Sequence, residues 1–193
     1  MIAVTRPLAI ALLLLVPTIA VAQAAKEKDA PKTSTGSPPP VPSAPERTTA
    51  SFGDWVMRCE GTTITPAHRV CEVAQAMTVQ GQAAPVAQVA IGRQAPNEPK
   101  RLTVVLPTNI AFATRPAVAI AKPGAAPTEL TWQRCVPGGC FASASISDEA
   151  LATLGAQTEP GKILFKDAAD RDLALPLSFR GLTQALAALA KEQ

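Results

Sequence analysis

The residues of this chain whose types invite chemistry are few: four cysteines, one histidine and a short run of aspartates. Eleven residues separate Cys59 from Cys71, and four separate Cys135 from Cys140. Zinc would need all four thiolates, or three with His68, but those spacings fit finger patterns poorly. A redox pair needs Cys-x-x-Cys before a helix start, and neither pair supplies that. Four cysteines allow three disulfide pairings, of which the local one, Cys59–Cys71 with Cys135–Cys140, is the expected one. Cys135 and Cys140 flank Val136, Pro137, Gly138 and Gly139. Pro137 suits the first central position of a turn and Gly138 a positive φ, so the two cysteines would oppose each other in a hairpin.

The remaining candidates are weaker. His68 is the single histidine, so any histidine-dependent triad or dyad must use it, yet the chain has no Gly-x-Ser-x-Gly elbow. An exposed loop histidine is the expected outcome. Asp167, Asp170 and Asp172 lack the glycine and the later bidentate glutamate of a calcium loop and read as a polar hairpin turn. Gly138-Gly139 is not set between a strand and a helix as a phosphate cradle requires. Trp55 and Trp132 are expected as core anchors, since large aromatics dominate burial. No catalytic residue, cofactor or metal is therefore expected, and the chain reads as a non-enzyme.

The elements that must position these residues are mostly strands. Trp55, Met57 and Cys59 alternate with Val56 and Arg58, the period of a half-buried strand. Further strands are expected over 70–79, 86–91, 101–106, 111–121, 130–135, 140–146, 162–165 and 173–179. Pro116 marks an edge strand or two short ones, and Pro176 interrupts the last strand. Eight or nine short strands indicate an antiparallel sandwich or barrel. Ser147 can cap a helix through Leu151 and Leu154, stopped at Gly155. Leu182, Ala185, Leu186 and Leu189 fall at helical spacing and predict a C-terminal amphipathic helix facing its own domain.

The N-terminus has a different character. Arg6 precedes the nine-residue apolar run 8–16, Pro17 ends it, and Ala20-Val21-Ala22 reads as a cleavage site. This is the layout of a signal peptide over 1–22, and the run is too short to span a membrane. Ala22-Gln23-Ala24 offers a second cut, and no cysteine lies there to build a lipoprotein anchor. Residues 23–50 include six prolines between 31 and 45 and read as an extended, disordered spacer. The folded domain is expected over 51–193. The protein is thus expected to be periplasmic or secreted, without stable membrane insertion after cleavage, and its cysteines to be oxidised.

Charge narrows the partners. The whole chain carries a net +3 and aromatics make up only 4% of it, with no tyrosine. Residues 51–193 hold thirteen Lys and Arg against twelve Asp and Glu. A near-neutral domain has no electrostatic footprint for nucleic acid. An unidentified protein partner fits better, met by exposed charges such as Arg93, Lys100, Arg101 and Arg115.

The chain resembles the invasion-associated locus B proteins of bacteria. The resemblance runs through Phe52-Gly53-Asp54-Trp55 with Cys59 and Cys71, then the Cys135 to Ala142 segment, then Leu175 to Gly181 before an Ala/Leu-rich helix. It covers residues 51–193, with Leu182 standing where an aromatic is usual. The resemblance implies an all-β, immunoglobulin-like antiparallel β-sandwich with one or two short helices, exported and without enzymatic activity. It brings no catalytic residue, and it brings Cys59, Cys71, Cys135 and Cys140 as disulfide candidates. Two roles are open: protein binding at the envelope or host interface, or structural or stress-related support of the envelope.

Overall fold

A computed structural model describes residues 47–61, 69–79, 81–82, 84–95 and 97–192. The expected signal peptide, most of the expected spacer and His68 lie outside the described residues. Eleven strands and two helices follow in order. They are β1 (Arg47–Phe52), β2 (Trp55–Gly61), β3 (Arg69–Met77), β4 (Ala87–Gly92), β5 (Arg101–Leu106), β6 (Ala117–Ala119), β7 (Thr128–Glu129), β8 (Thr131–Val136) and β9 (Gly139–Ser145). After these come α1 (Asp148–Gly155), β10 (Gly161–Lys166), β11 (Asp172–Leu177) and α2 (Leu182–Leu189).

The strands form two antiparallel sheets. One has seven strands in the order β1-β2-β3-β4-β5-β9-β8, the other four in the order β11-β10-β6-β7. The alternation of β2 and β5 puts every second side chain inward, so that Met57, Cys59, Leu102, Val104 and Leu106 are buried. They join Val118, Ile163, Phe165 and Leu177 of the smaller sheet in a single apolar core. This is the all-β sandwich expected from the sequence. Helix α2 adds Leu182, Ala185 and Leu189, all fully buried, with Leu186 half-buried. Each such leucine stabilises the fold by roughly 1.5–3 kcal/mol.

The domain starts earlier than the expected Ser51. Arg47 to Ala50 pair in register with Glu60 to Met57, and Ala50 packs on the core. Their backbone N–H and C=O groups satisfy an edge of the sheet, which the polar Thr-Thr pair at 48–49 conceals in the sequence. Between Ile110 and Ala121 only Ala117–Ala119 is a strand, and it lies inside its sheet, not at an edge. Pro116 precedes it and uses its carbonyl to accept from the Leu130 amide. Pro176 sits within β11, which is an edge strand, so its missing N–H disrupts no ladder.

Local stops also differ from expectation. Ser147 caps α1 as predicted, its hydroxyl accepting from the Ala150 amide at 3.1 Å. The helix runs through Gly155 and ends at Ala156 in a right-handed conformation. Gly155 instead permits close packing of the helices: a Cβ there would lie 2.9 Å from Thr183 Oγ1, which donates to the Gly155 carbonyl. In the β8–β9 hairpin the positive φ falls on Gly139, not Gly138, and a side chain on Gly139 would also meet the Leu106 carbonyl.

Candidate functional site

Both cysteine pairs lie directly opposite each other on neighbouring strands. Cys59 pairs with Cys71 across β2 and β3, and Cys135 with Cys140 across β8 and β9, each with Cα atoms 4.0 Å apart. The disulfides are those expected, and among the described residues no cysteine is free. Cys59 and Cys71 are buried in the core, whereas Cys135 is exposed. Glu192 has a carboxylate close to the first pair, but sulfurs joined to each other are not thiolate ligands, so this is no metal site.

The aspartates are structural. Asp167 is buried and its Oδ1 accepts from the amides of Ala169 and Arg171, while Oδ2 lies 2.5 Å from Arg171 Nη2. These bonds fold the β10–β11 turn, and the Arg171 guanidinium first, then its amide, hold the Asp167 carboxyl below the usual carboxylate range. Asp170 and Asp172 both face Lys166, at 3.2 and 3.8 Å. The hairpin-turn reading of this run is the observed one.

Trp55 is a core anchor as expected, and its indole N–H donates to the Ser178 carbonyl at 3.0 Å. Trp132 is not. It lies half-buried near the sandwich edge, edge-on to the exposed Phe112 at 5.3 Å, with its N–H on the Thr114 carbonyl. Its strand β8 is the last of the larger sheet among the described residues.

Around Trp55 the two motifs at the ends of the domain close on each other. Arg180 binds Asp54 through both carboxylate oxygens, and Ser178 Oγ donates to Asp54 Oδ2 at 2.6 Å. Buried Gln75 bridges them, donating to the Ser178 carbonyl and accepting from the Ser178 amide. These bonds tie Asp54, Gln75, Ser178 and Arg180 to one another, so the cluster is a clasp between the two ends of the domain.

An open surface lies elsewhere, on the outer face of the seven-stranded sheet. Antiparallel register aligns Arg58, Glu72, Gly92 and Arg101 in one row, and Gln88, Val105, Phe141 and Arg134 in another. Between the rows the small side chains of Ala90 and Thr103 form the floor of a groove of about 240 Å³. Arg58 is spoken for by Glu72 at 2.5 Å. Arg101 is held by the Ser143 hydroxyl at 2.5 Å, and Arg134 stands over the Phe141 ring at 5.1 Å. Among the described residues neither Arg101 nor Arg134 has a carboxylate partner. Arg93 also lines the groove, and its charge acts on Asp148.

Of the four charges singled out from the sequence, the structure brings Arg93 and Arg101 to this groove and leaves two aside. Lys100 is paired with Asp148 at 2.7 Å and Arg115 with Glu129 at 3.5 Å. The Lys100 ammonium holds the Asp148 carboxyl below its ordinary value. Arg58, Arg134 and Phe141 were not singled out. Their signal is positional: each is two or an even number of residues from an outward neighbour on its strand, which register alone turns into a common face.

Comparison with known proteins agrees with the architecture. The profile of the family described as invasion associated locus B (IalB) protein matches residues 55–190. The crystal structure of invasion associated protein B from Bartonella henselae is similar in fold, with a TM-score of 0.60 and 21% sequence identity. The match covers 75% of this chain and 96% of that one. No curated protein matches the sequence.

Proposed function

The chain belongs to the invasion associated locus B family, and from that premise we propose that it is an exported, non-catalytic protein that binds a protein partner at the cell envelope or host interface. The observation that carries this reading is the outer face of the larger sheet, which no other described element covers. There two guanidiniums are fixed in place by a hydroxyl and an aromatic ring while lacking carboxylate partners. A rigid surface presenting unneutralised, oriented donors is built for recognition. The other acidic and basic clusters support the same reading, because Asp54, Asp167 and Lys166 are consumed in ion pairs that hold turns.

Export is supported by two disulfides in a domain large enough to fold without them, a pattern of oxidising compartments. Among the described residues no helix is long and apolar enough to cross a membrane. N-terminal sequencing of the protein from cells is expected to begin just after Ala22 or Ala24; Met1 at the mature terminus overturns export. Photo-crosslinking from Thr103, on the groove floor, in intact cells is expected to capture a discrete protein. Capture from a site on the opposite sheet but not from Thr103 overturns the assignment of the surface. Strict periplasmic retention with an envelope partner selects envelope support over adhesion.

A further inference from the structure

Resting on that reading of the outer face, we propose that the groove takes an extended acidic polypeptide segment, with one carboxylate on Arg101 and another on Arg134. Charge complementarity is the first argument. Setting aside Arg93, whose charge acts on Asp148, the groove lining includes Arg58, Arg101 and Arg134 against the carboxylate of Glu72, a local excess of two positive charges. Residues 47–193 as a whole hold an excess of two, fourteen against twelve, so the groove carries the equivalent of the domain's whole net charge. Such an asymmetry steers and orients an acidic partner.

Spacing and floor identify the kind of acidic partner. Arg134 stands level with Phe141 and Val105, and Val105 is four residues beyond Arg101 along β5. The two arginines are therefore offset by about 13 Å along the strands and about 10 Å across them. An extended chain rising about 3.3 Å per residue sets side chains four residues apart on one face and about 13 Å from each other, which two long, flexible guanidinium side chains can reach. Between them lie the small side chains of Thr103 and Ser143, with Ala90 beside Thr103 on the neighbouring strand and the Phe141 ring at the Arg134 end, which leaves room for small side chains of a bound segment. A densely charged polyanion suits the groove less well, because its two unpaired guanidiniums stand apart with uncharged side chains between them and do not form a continuous basic row.

The test uses the chain with both disulfides formed and a fluorescent twelve-residue peptide with glutamate at every fourth position and alanine, serine or valine between. Anisotropy is expected to show saturable binding that weakens with added salt, and no binding of the same peptide with glutamine for glutamate. Arg101→Gln with Arg134→Gln is expected to weaken binding about tenfold or more. The two lysine variants are expected to recover part of it, since charge returns without the bidentate fork. An unchanged melting temperature shows the variant to be folded. Equal affinity for the glutamine peptide, indifference to the double variant, or tighter groove binding of heparin than of the peptide overturns the proposal. Failure of the peptide together with capture of a protein from Thr103 in cells rejects the acidic ligand alone; failure of both rejects the binding surface.

Discussion

Arg180 grips Asp54 across 126 residues of sequence, with Nη2 2.5 Å from Oδ1 and Nε 3.1 Å from Oδ2. The pair ties the β1–β2 turn to the segment that leads into α2, and the Asp54 amide reinforces it by donating to the Arg180 carbonyl. Arg180 is mostly exposed, so solvent screens the charge, and the value of the contact lies in geometry more than in Coulomb energy.

Asp54→Ala is therefore expected to lower the melting temperature by several degrees, and Asp54→Asn by less. Asparagine retains an oxygen that accepts from Ser178 Oγ, whereas alanine strands that hydroxyl. A thermal melt of the two variants beside Arg180→Ala checks this. Equal losses for Asp54→Ala and Asp54→Asn defeat the assigned role of Ser178.

The same contacts set the response to acid. The Arg180 guanidinium, and after it the Ser178 hydroxyl, hold Asp54 below the usual carboxylate range, and Arg171 does the same for Asp167. A carboxyl whose folded pKa lies below its unfolded value contributes stability that is complete above the unfolded value and is lost as pH falls through the folded one. Stability is expected to be flat near neutrality and to fall below about pH 4. Melting temperatures from pH 7 down to 2.5 test the sign, and Asp54→Asn is expected to flatten part of the acid limb. A limb equally steep in that variant removes Asp54 from the account.

The two disulfides are expected to differ in worth and in lability. The chain-entropy relation gives about 3 kcal/mol for the loop closed by Cys59–Cys71 and about 2 kcal/mol for that closed by Cys135–Cys140. Denaturant unfolding of the Cys59→Ala/Cys71→Ala and Cys135→Ala/Cys140→Ala chains measures the first point. On mild reduction Cys135–Cys140 is expected to open first, because Cys135 is exposed while Cys59 and Cys71 are buried. Alkylation of the newly freed thiols, mapped by mass spectrometry, would falsify that order if Cys59 or Cys71 were labelled first.

Much of this architecture is legible in the sequence because it is local. Cys59 and Cys71, like Cys135 and Cys140, sit on strands adjacent in the chain, so short spacing finds the right partner. The alternation in β2 and β5 names the buried face directly. What stays hidden depends on contacts between distant segments. Trp55 and Trp132 look alike in their strands, but Trp55 is enclosed and donates to the Ser178 carbonyl, while Trp132 lies on β8, the last strand of its sheet among the described residues. Gln75 reads as a polar interruption in β3 until Ser178, 103 residues later, supplies its partners. The arginine groove is hidden for the same reason: Arg58, Arg101 and Arg134 share a face only through the register of six strands.

The tightest constraint on the clasp is Gly181. It has a φ of 88° at the start of α2, and a Cβ there would overlap the Phe52 carbonyl. Gly124, with a φ of 77°, has open space around it, and Gly138 has open space without a positive φ. The three positions separate backbone strain from steric overlap. Gly138→Ala is expected to be neutral or to stabilise by up to about 1 kcal/mol, by reducing the freedom of the unfolded chain. Gly124→Ala is expected to cost about 1–2 kcal/mol, the strain of a left-handed alanine. Gly181→Ala carries the same strain and must also push the β1–β2 turn away from α2, so it is expected to lose several kcal/mol or fail to fold. Since the overlapping atoms belong to the backbone, no rotamer change relieves them. Urea unfolding of the three variants orders the losses, and a Gly181→Ala chain no less stable than Gly124→Ala shows that the turn and the helix are not held in contact as described.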